Sequence, residues 1–233
     1  MKKVIKLAVV FALTTFVQLS FGQAVFQTID LAVSNPGAVV AAMDKFAESS
    51  TGRSASSSVT LYSYVANGEN EATHIVNIVH SSPAEMDANM QKTQGSQDAA
   101  ALVLELNQAA RIVRTRVGQI LLTGGNAANI TAQNPAAMVY LMSVSDPAAY
   151  AREFSTFLGQ NADFGQSFLS SSLADGEDPT THIVFNVGNS LGELLMNQPQ
   201  SLDGWDAYAS RVNGLRTIEG TAMLQTVKSW TSQ

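Results

Sequence analysis

The chain has 233 residues, a formal net charge of −6 and no cysteine. The acidic balance excludes the broad basic surface that nucleic acid or an anionic membrane demands. Without cysteine there can be no disulfides, thiolate nucleophiles or thiolate metal sites, so stability must come from burial.

The N-terminus opens with Lys2, Lys3 and Lys6, continues as an apolar run from Leu7 to Leu19, and reaches small residues at Ser20, Gly22 and Ala24. This order predicts a secretory signal peptide over residues 1–24, cleaved after Gly22 or Ala24. The apolar run is short of the roughly 20 residues that span a bilayer. Losing the three leader lysines takes the net charge from −6 to −9. The expected location is secreted or periplasmic, with no membrane association after cleavage.

The first unit then spans 25–122. Phe26 to Val33 predicts a strand, and Ser34-Asn35-Pro36 offers a capping side chain followed by a first-turn proline. A helix follows from Pro36 to Ser49, with Val39, Val40, Met43 and Phe46 on one stripe. After a Ser-rich stretch come a strand from Ser58 to Val65, an Asn67-Gly68 turn and a strand from Thr73 to Val79. A helical region broken near Gln94-Gly95 has its main part at Asp98 to Ala110, and Ile112 to Leu122 closes the unit. Residues 123–136 hold no charge and read as a linker.

Residues 137–233 repeat the pattern. Asn67 to Val76 matches Asp175 to Val184 at an offset of 108, with six identities and two Asn/Asp exchanges. Ser34-Asn35-Pro36 answers Ser145-Asp146-Pro147 at offset 111, while Asn107 and Gln119 answer Asn213 and Gln225 at offset 106. Collinear matches with small drifts mark an internal duplication. The second set of strands is Met138 to Val144, Phe168 to Leu173, Thr181 to Val187 and Ala222 to Trp230. Its helices are Pro147 to Gln160 and, after a break near Asn197-Gln198-Pro199, Leu202 to Leu215.

Strand, helix, strand, strand, helix, strand is the ferredoxin-like βαββαβ order. The fold class is thus α+β with two tandem ferredoxin-like units. Such a tandem resembles the dimeric α+β barrel superfamily, in which two units face each other and close a barrel. Members include antibiotic-biosynthesis monooxygenase-like, stress-responsive and haem-handling proteins. The resemblance is one of topology and assigns no residue a role.

No catalytic residue can be named from the sequence, but six side chains are candidates for ligand binding. Duplication places His74 and His182 at equivalent points of the third strand, with His80 on the face of His74 and Asn186 on the face of His182. The opposite face, Ile183, Phe185 and Val187, is the more apolar and is expected to take the helices. The histidines would then look across the lumen as acid/base groups or polar anchors. Otherwise each closes a hairpin and bonds beside its preceding Thr. Arg114 and Arg116 share a strand face and could hold a carboxylate, or mark an exposed strand end. The acidic turns around Glu69 to Glu71 and Asp175 to Asp178 read as solvated hairpin tips. No spacing of His, Asp or Glu predicts a metal site, and no motif calls for a cofactor.

The expected function is binding of a small apolar ligand between the two units. A cofactor-independent monooxygenase-like or isomerase-like enzyme, suggested by the resemblance, and a structural or self-assembling exported protein are the alternatives. Oligomeric state is left open.

Overall fold

The computed structural model describes residues 24–176 and 178–231. The leader up to residue 23 and Glu177 of the second acidic turn therefore lie outside the described residues. The first unit runs β1 (Val25–Val33), α1 (Pro36–Glu48), α2 (Ser50–Ser54), β2 (Ser58–Ala66), β3 (His74–His80), α3 (Pro83–Thr93), α4 (Gln97–Ala109) and β4 (Ala110–Gly125). The second runs β5 (Ala136–Val144), α5 (Pro147–Gln160), β6 (Gln166–Ala174), β7 (His182–Gly188), α6 (Leu191–Met196), α7 (Trp205–Val212) and β8 (Arg216–Thr231).

The same local devices start the same elements in both copies. Asn35 accepts from the Ala38 amide at 3.1 Å and Asp146 from the Ala149 amide at 2.9 Å, each with a proline in the first turn. At the next helix, Ser82 accepts from the Glu85 amide and Ser190 from the Glu193 amide. The glutamates reach back to the amides of Ser81 and Asn189, one residue before each cap, in a variant of the capping box. The break after α3 falls at Gly95, whose φ of 76° suits only glycine comfortably. Several boundaries differ from the sequence expectation, most of all that of β8, which begins at Arg216 and not at Ala222. Part of the Ser-rich stretch folds as α2, because Ser49 caps it through the Gly52 amide. β4 continues to Gly125, into the predicted linker, and α7 stops at Val212.

All strand pairings are antiparallel, and the eight strands close in the order β1-β3-β2-β8-β5-β7-β6-β4. The seams between the units are β2 with β8 and β4 with β6. The two last strands are each 16 residues long, so each reaches across a seam. α5 packs on β4, and the Trp230 indole of β8 donates to Asp44 of α1 at 2.8 Å.

Closure makes both sheet faces apolar. Outside, Leu31, Leu61 and Val76 pack with Val39 and Met43 of α1 in unit 1. Met142, Leu169 and Val184 pack with Tyr150, Phe154 and Phe157 of α5 in unit 2. Inside, the Phe185 ring meets Tyr62 from the opposite unit edge-on at 5.8 Å and Phe168 at 6.5 Å.

Val76 and Val184 decide which way the histidines point. His74 and Val76 alternate onto one face, as do His182 and Val184, and that face meets the helices. The expected lumen orientation of His74 and His182 is therefore corrected. The Ile183/Phe185/Val187 face is the more apolar and yet lines the lumen, because a closed barrel has an apolar interior as well.

Candidate functional site

A cavity of about 860 Å³ opens between the outer sheet face of unit 1 and α1, α2 and α4. Its walls are Ile29, Leu31, Val59, Val76 and Ile78 from the strands, Met43, Phe46 and Ala47 from α1, and Leu102, Val103 and Leu106 from α4. The end of β8 adds Trp230. Glu48, Arg53 and Asn107 bring the ionic and amide groups of a largely aliphatic lining. The sequence expectation placed a ligand between the units, whereas this cavity lies elsewhere. The space lies within unit 1, under its own helices, with one wall from the last strand of unit 2.

Unit 2 has the corresponding cavity at about 320 Å³. The register is fixed by matched hydrogen bonds, Ser34 to the Ala109 carbonyl at 2.8 Å and Ser145 to the Leu215 carbonyl at 2.9 Å. On that register Val39 corresponds to Tyr150, Met43 to Phe154, Ala47 to Leu158 and Leu102 to Tyr208. Four small or aliphatic side chains in unit 1 face four larger ones in unit 2. The rings of Tyr150, Phe154, Phe157, Trp205 and Tyr208 stack and tilt on one another with centroids 4.6–6.4 Å apart, so aromatic packing takes up much of the space and leaves about 320 Å³.

The sequence candidates fall in three places. Thr73 Oγ1 lies 2.9 Å from His74 Nδ1, and Thr181 Oγ1 lies 2.9 Å from His182 Nδ1. The same hydroxyls accept the amides of Val33 and Val144 at 2.9 Å, which ties strand ends together. His80 Nδ1 lies 3.2 Å from the Asn89 amide of α3. Burial holds all three imidazoles below the usual histidine range, with Glu85 opposing the shift at His80. None of the three lines either cavity described above. Asn186 does line the smaller one.

Arg114 and Arg116 form the second place, and an exposed strand end is the wrong description of it. Arg116 is 4% exposed and Asp30 2% exposed. Arg114 contacts Asp30 at 2.8 Å and also Asp178, while Arg116 contacts Asp178 at 3.1 Å and Asp175 at 3.3 Å. Tyr64 donates to Asp30 at 2.7 Å and Ser172 to Asp175 at 2.5 Å. Asp175 and Asp178 are thus not a solvated tip. They fold back from the β6–β7 turn onto two guanidinium groups of unit 1. For Asp178 burial opposes ionisation most, but Thr180 hydrogen bonding and both guanidinium charges outweigh it and lower the carboxyl's pKa. Burial also works against the charge of Arg114, yet Asp30 and Asp178 leave it more basic than usual. These arginines are already satisfied and act as an inter-unit lock.

The third place is the smaller cavity, through Asn186, and the wall of the larger one was not singled out from sequence. A signal was present in the aligned copies, where the helical stripe swaps Val, Met and Ala for Tyr, Phe and Leu. Among the described residues no three His, Asp or Glu side chains are grouped to hold a metal ion.

No protein-family model matches the chain, and no curated protein matches it in sequence. Solved structures do match its fold. A candidate monooxygenase from Fusobacterium nucleatum superposes with a TM-score of 0.58 at 12% identity, covering 91% of this chain and 95% of the other. A candidate monooxygenase from Lactobacillus acidophilus gives 0.55 at 11% identity, over 90% and 97%. An anthrone oxidase-like protein gives 0.54 at 13% identity, over 90% and 92%. The chain therefore has the dimeric α+β barrel fold, with both halves of the barrel supplied by one polypeptide.

Proposed function

We propose that the protein is an exported binder of a small apolar molecule, held in the unit 1 cavity between the sheet and α1, α2 and α4. One observation carries this. The duplicated unit packs the same space with aromatic rings, whereas unit 1 keeps about 860 Å³ open behind aliphatic walls. Ligand sites are typically concave, largely apolar and of this size. Export is supported by the basic, apolar and small-residue order of the leader. The three fold neighbours are described as monooxygenases or as oxidase-like, which keeps an enzyme in view. The cavity wall carries no His, and its one acid, Glu48, shares a mainly aliphatic lining with Arg53 and Asn107, so a binder fits the lining better.

Trp230 lines the cavity and the other tryptophan, Trp205, belongs to unit 2, so a Trp205→Phe variant leaves one reporter in place. Titration with the neutral fluorophore N-phenyl-1-naphthylamine should give saturable energy transfer from Trp230 at one probe per chain. Carrying Ala47→Leu and Met43→Phe as well, which copies the plug of unit 2, should weaken binding at least tenfold. Probe binding that ignores the plug, or never saturates, would place the ligand elsewhere or nowhere.

A further inference from the structure

The smaller cavity of unit 2 differs from its counterpart in charge as well as in size. Where unit 1 has Ala110, unit 2 has Arg216, both being the first residue of a long last strand. The Arg216 guanidinium sits 5.8 Å from the Tyr150 ring centre and 5.9 Å from that of Tyr208. Its Nη1 donates to the Met142 thioether at 3.6 Å, a weak acceptor. No carboxylate lies within ion-pair distance of it among the described residues, unlike Arg111, Arg114, Arg116 and Arg211; Arg53 and Arg152, which also have none, are exposed. Tyr140 lines the same cavity within the Arg216 field. An arginine presents five donors in a fork that fits a carboxylate, and here the fork borders an aromatic slot without an anion.

We propose that this cavity is a second, separate site, for a one-ring aromatic carboxylate. Its volume of about 320 Å³ accommodates a single substituted ring, since a cavity of about 150 Å³ already holds benzene. The ring would lie among Phe154, Phe157 and Trp205, and its carboxylate would meet Arg216, with the Tyr140 hydroxyl as a further donor. The unit 1 cavity has Ala110 at the matching place, and its own arginine, Arg53, comes from α2 and shares a largely aliphatic lining with Glu48, with no aromatic slot beside it. The two copies would then take chemically different ligands, one neutral and apolar, the other planar and anionic.

Trp205 lines this cavity, so the Trp230→Phe variant isolates its signal. Benzoate should change Trp205 fluorescence saturably, and benzamide, which has the same shape without the charge, should bind at least tenfold more weakly. Arg216→Gln should reduce benzoate affinity at least tenfold while leaving N-phenyl-1-naphthylamine binding, read at Trp230 in the Trp205→Phe variant, intact. The benzoate-to-benzamide ratio is read on the natural Arg216 side chain, so it stands even where Arg216→Gln fails to fold. Equal binding of the two compounds, no saturable change with benzoate, or full affinity in Arg216→Gln would each overturn the site. Loss of naphthylamine binding with benzoate binding retained would instead overturn only the unit 1 proposal.

Discussion

Arg116→Met tests whether the charged cluster inside the barrel holds the two units together. Arg116 comes from β4 of unit 1, while Asp175 and Asp178 come from the β6–β7 turn of unit 2. Methionine fills much of the same volume and removes only the charge. Asp178 would keep Arg114 and the Thr180 amide, whereas Asp175 would keep only the Ser172 hydroxyl. Breaking a buried pair from one side costs about 3–5 kcal/mol. The lower end applies because one carboxylate retains a cation. About 3 kcal/mol corresponds to a fall in Tm of roughly 6–12 °C for a chain of this length. Urea unfolding followed by tryptophan fluorescence and by far-UV circular dichroism would measure it. The double variant Arg116→Met with Asp175→Asn should recover at least half the loss, since the stranded charge is then gone. A loss under about 1 kcal/mol for Arg116→Met would mean the cluster is solvated and is no lock.

Three further outcomes follow from the same structure. His74, His80 and His182 are held below the usual histidine range, so the folded state binds fewer protons than the unfolded chain. Their contribution is intact above about pH 6.5 and lost as pH falls below it, so Tm should drop between pH 7.5 and 5.5; a flat or rising Tm would contradict this. Gly68 and Gly176 have φ of 64° and 76° with open space around them, so Gly68→Val or Gly176→Val should cost roughly 1–2 kcal/mol through backbone strain alone. Unchanged melts for both would sink that account. Copying the plug of unit 2 with Ala47→Leu and Met43→Phe buries extra apolar surface and should raise stability by roughly 1–2 kcal/mol. A destabilised variant would show that the unit 1 cavity is set by shape as well as by side-chain size.

Much of the fold was legible because duplication offers each element twice. The Asn67-Gly68 and Asp175-Gly176 turns, the Asn35 and Asp146 caps and the Thr-His pairs recur at fixed offsets, so one copy checks the other. What failed was the direction of the sheet faces. Period-two alternation assigns His74 and Val76 to one face, but it does not say whether that face meets helices or the lumen. In an open sheet the more apolar face takes the helices. Here Phe185 meets Tyr62 from the other unit, a contact that depends on barrel closure. The Arg114 and Arg116 cluster was illegible for a related reason, since two of its acids, Asp175 and Asp178, lie about sixty residues away in the other unit. The cavity was legible only by comparing the copies position by position, because no single residue in its wall carries a chemical signature.

The asymmetry between the two helix layers has a physical rationale in barrel closure. Leaving space beneath a helix costs stability in proportion to the volume left unfilled. An isolated unit of about a hundred residues has little margin for that, given the few kcal/mol that separate folded from unfolded. In this chain unit 1 does not stand alone. Its inner face is covered by unit 2, its β2 edge pairs along β8, and its two lumen arginines are bound by carboxylates of unit 2. The end of β8 also reaches α1 through Trp230 and through the Lys228–Asp44 pair at 2.6 Å. Unit 2 meanwhile fills its own helix layer with aromatic rings. A duplicated barrel can therefore hold one copy tightly packed and the other under-packed without losing closure, which leaves the aliphatic space of unit 1 available to a ligand.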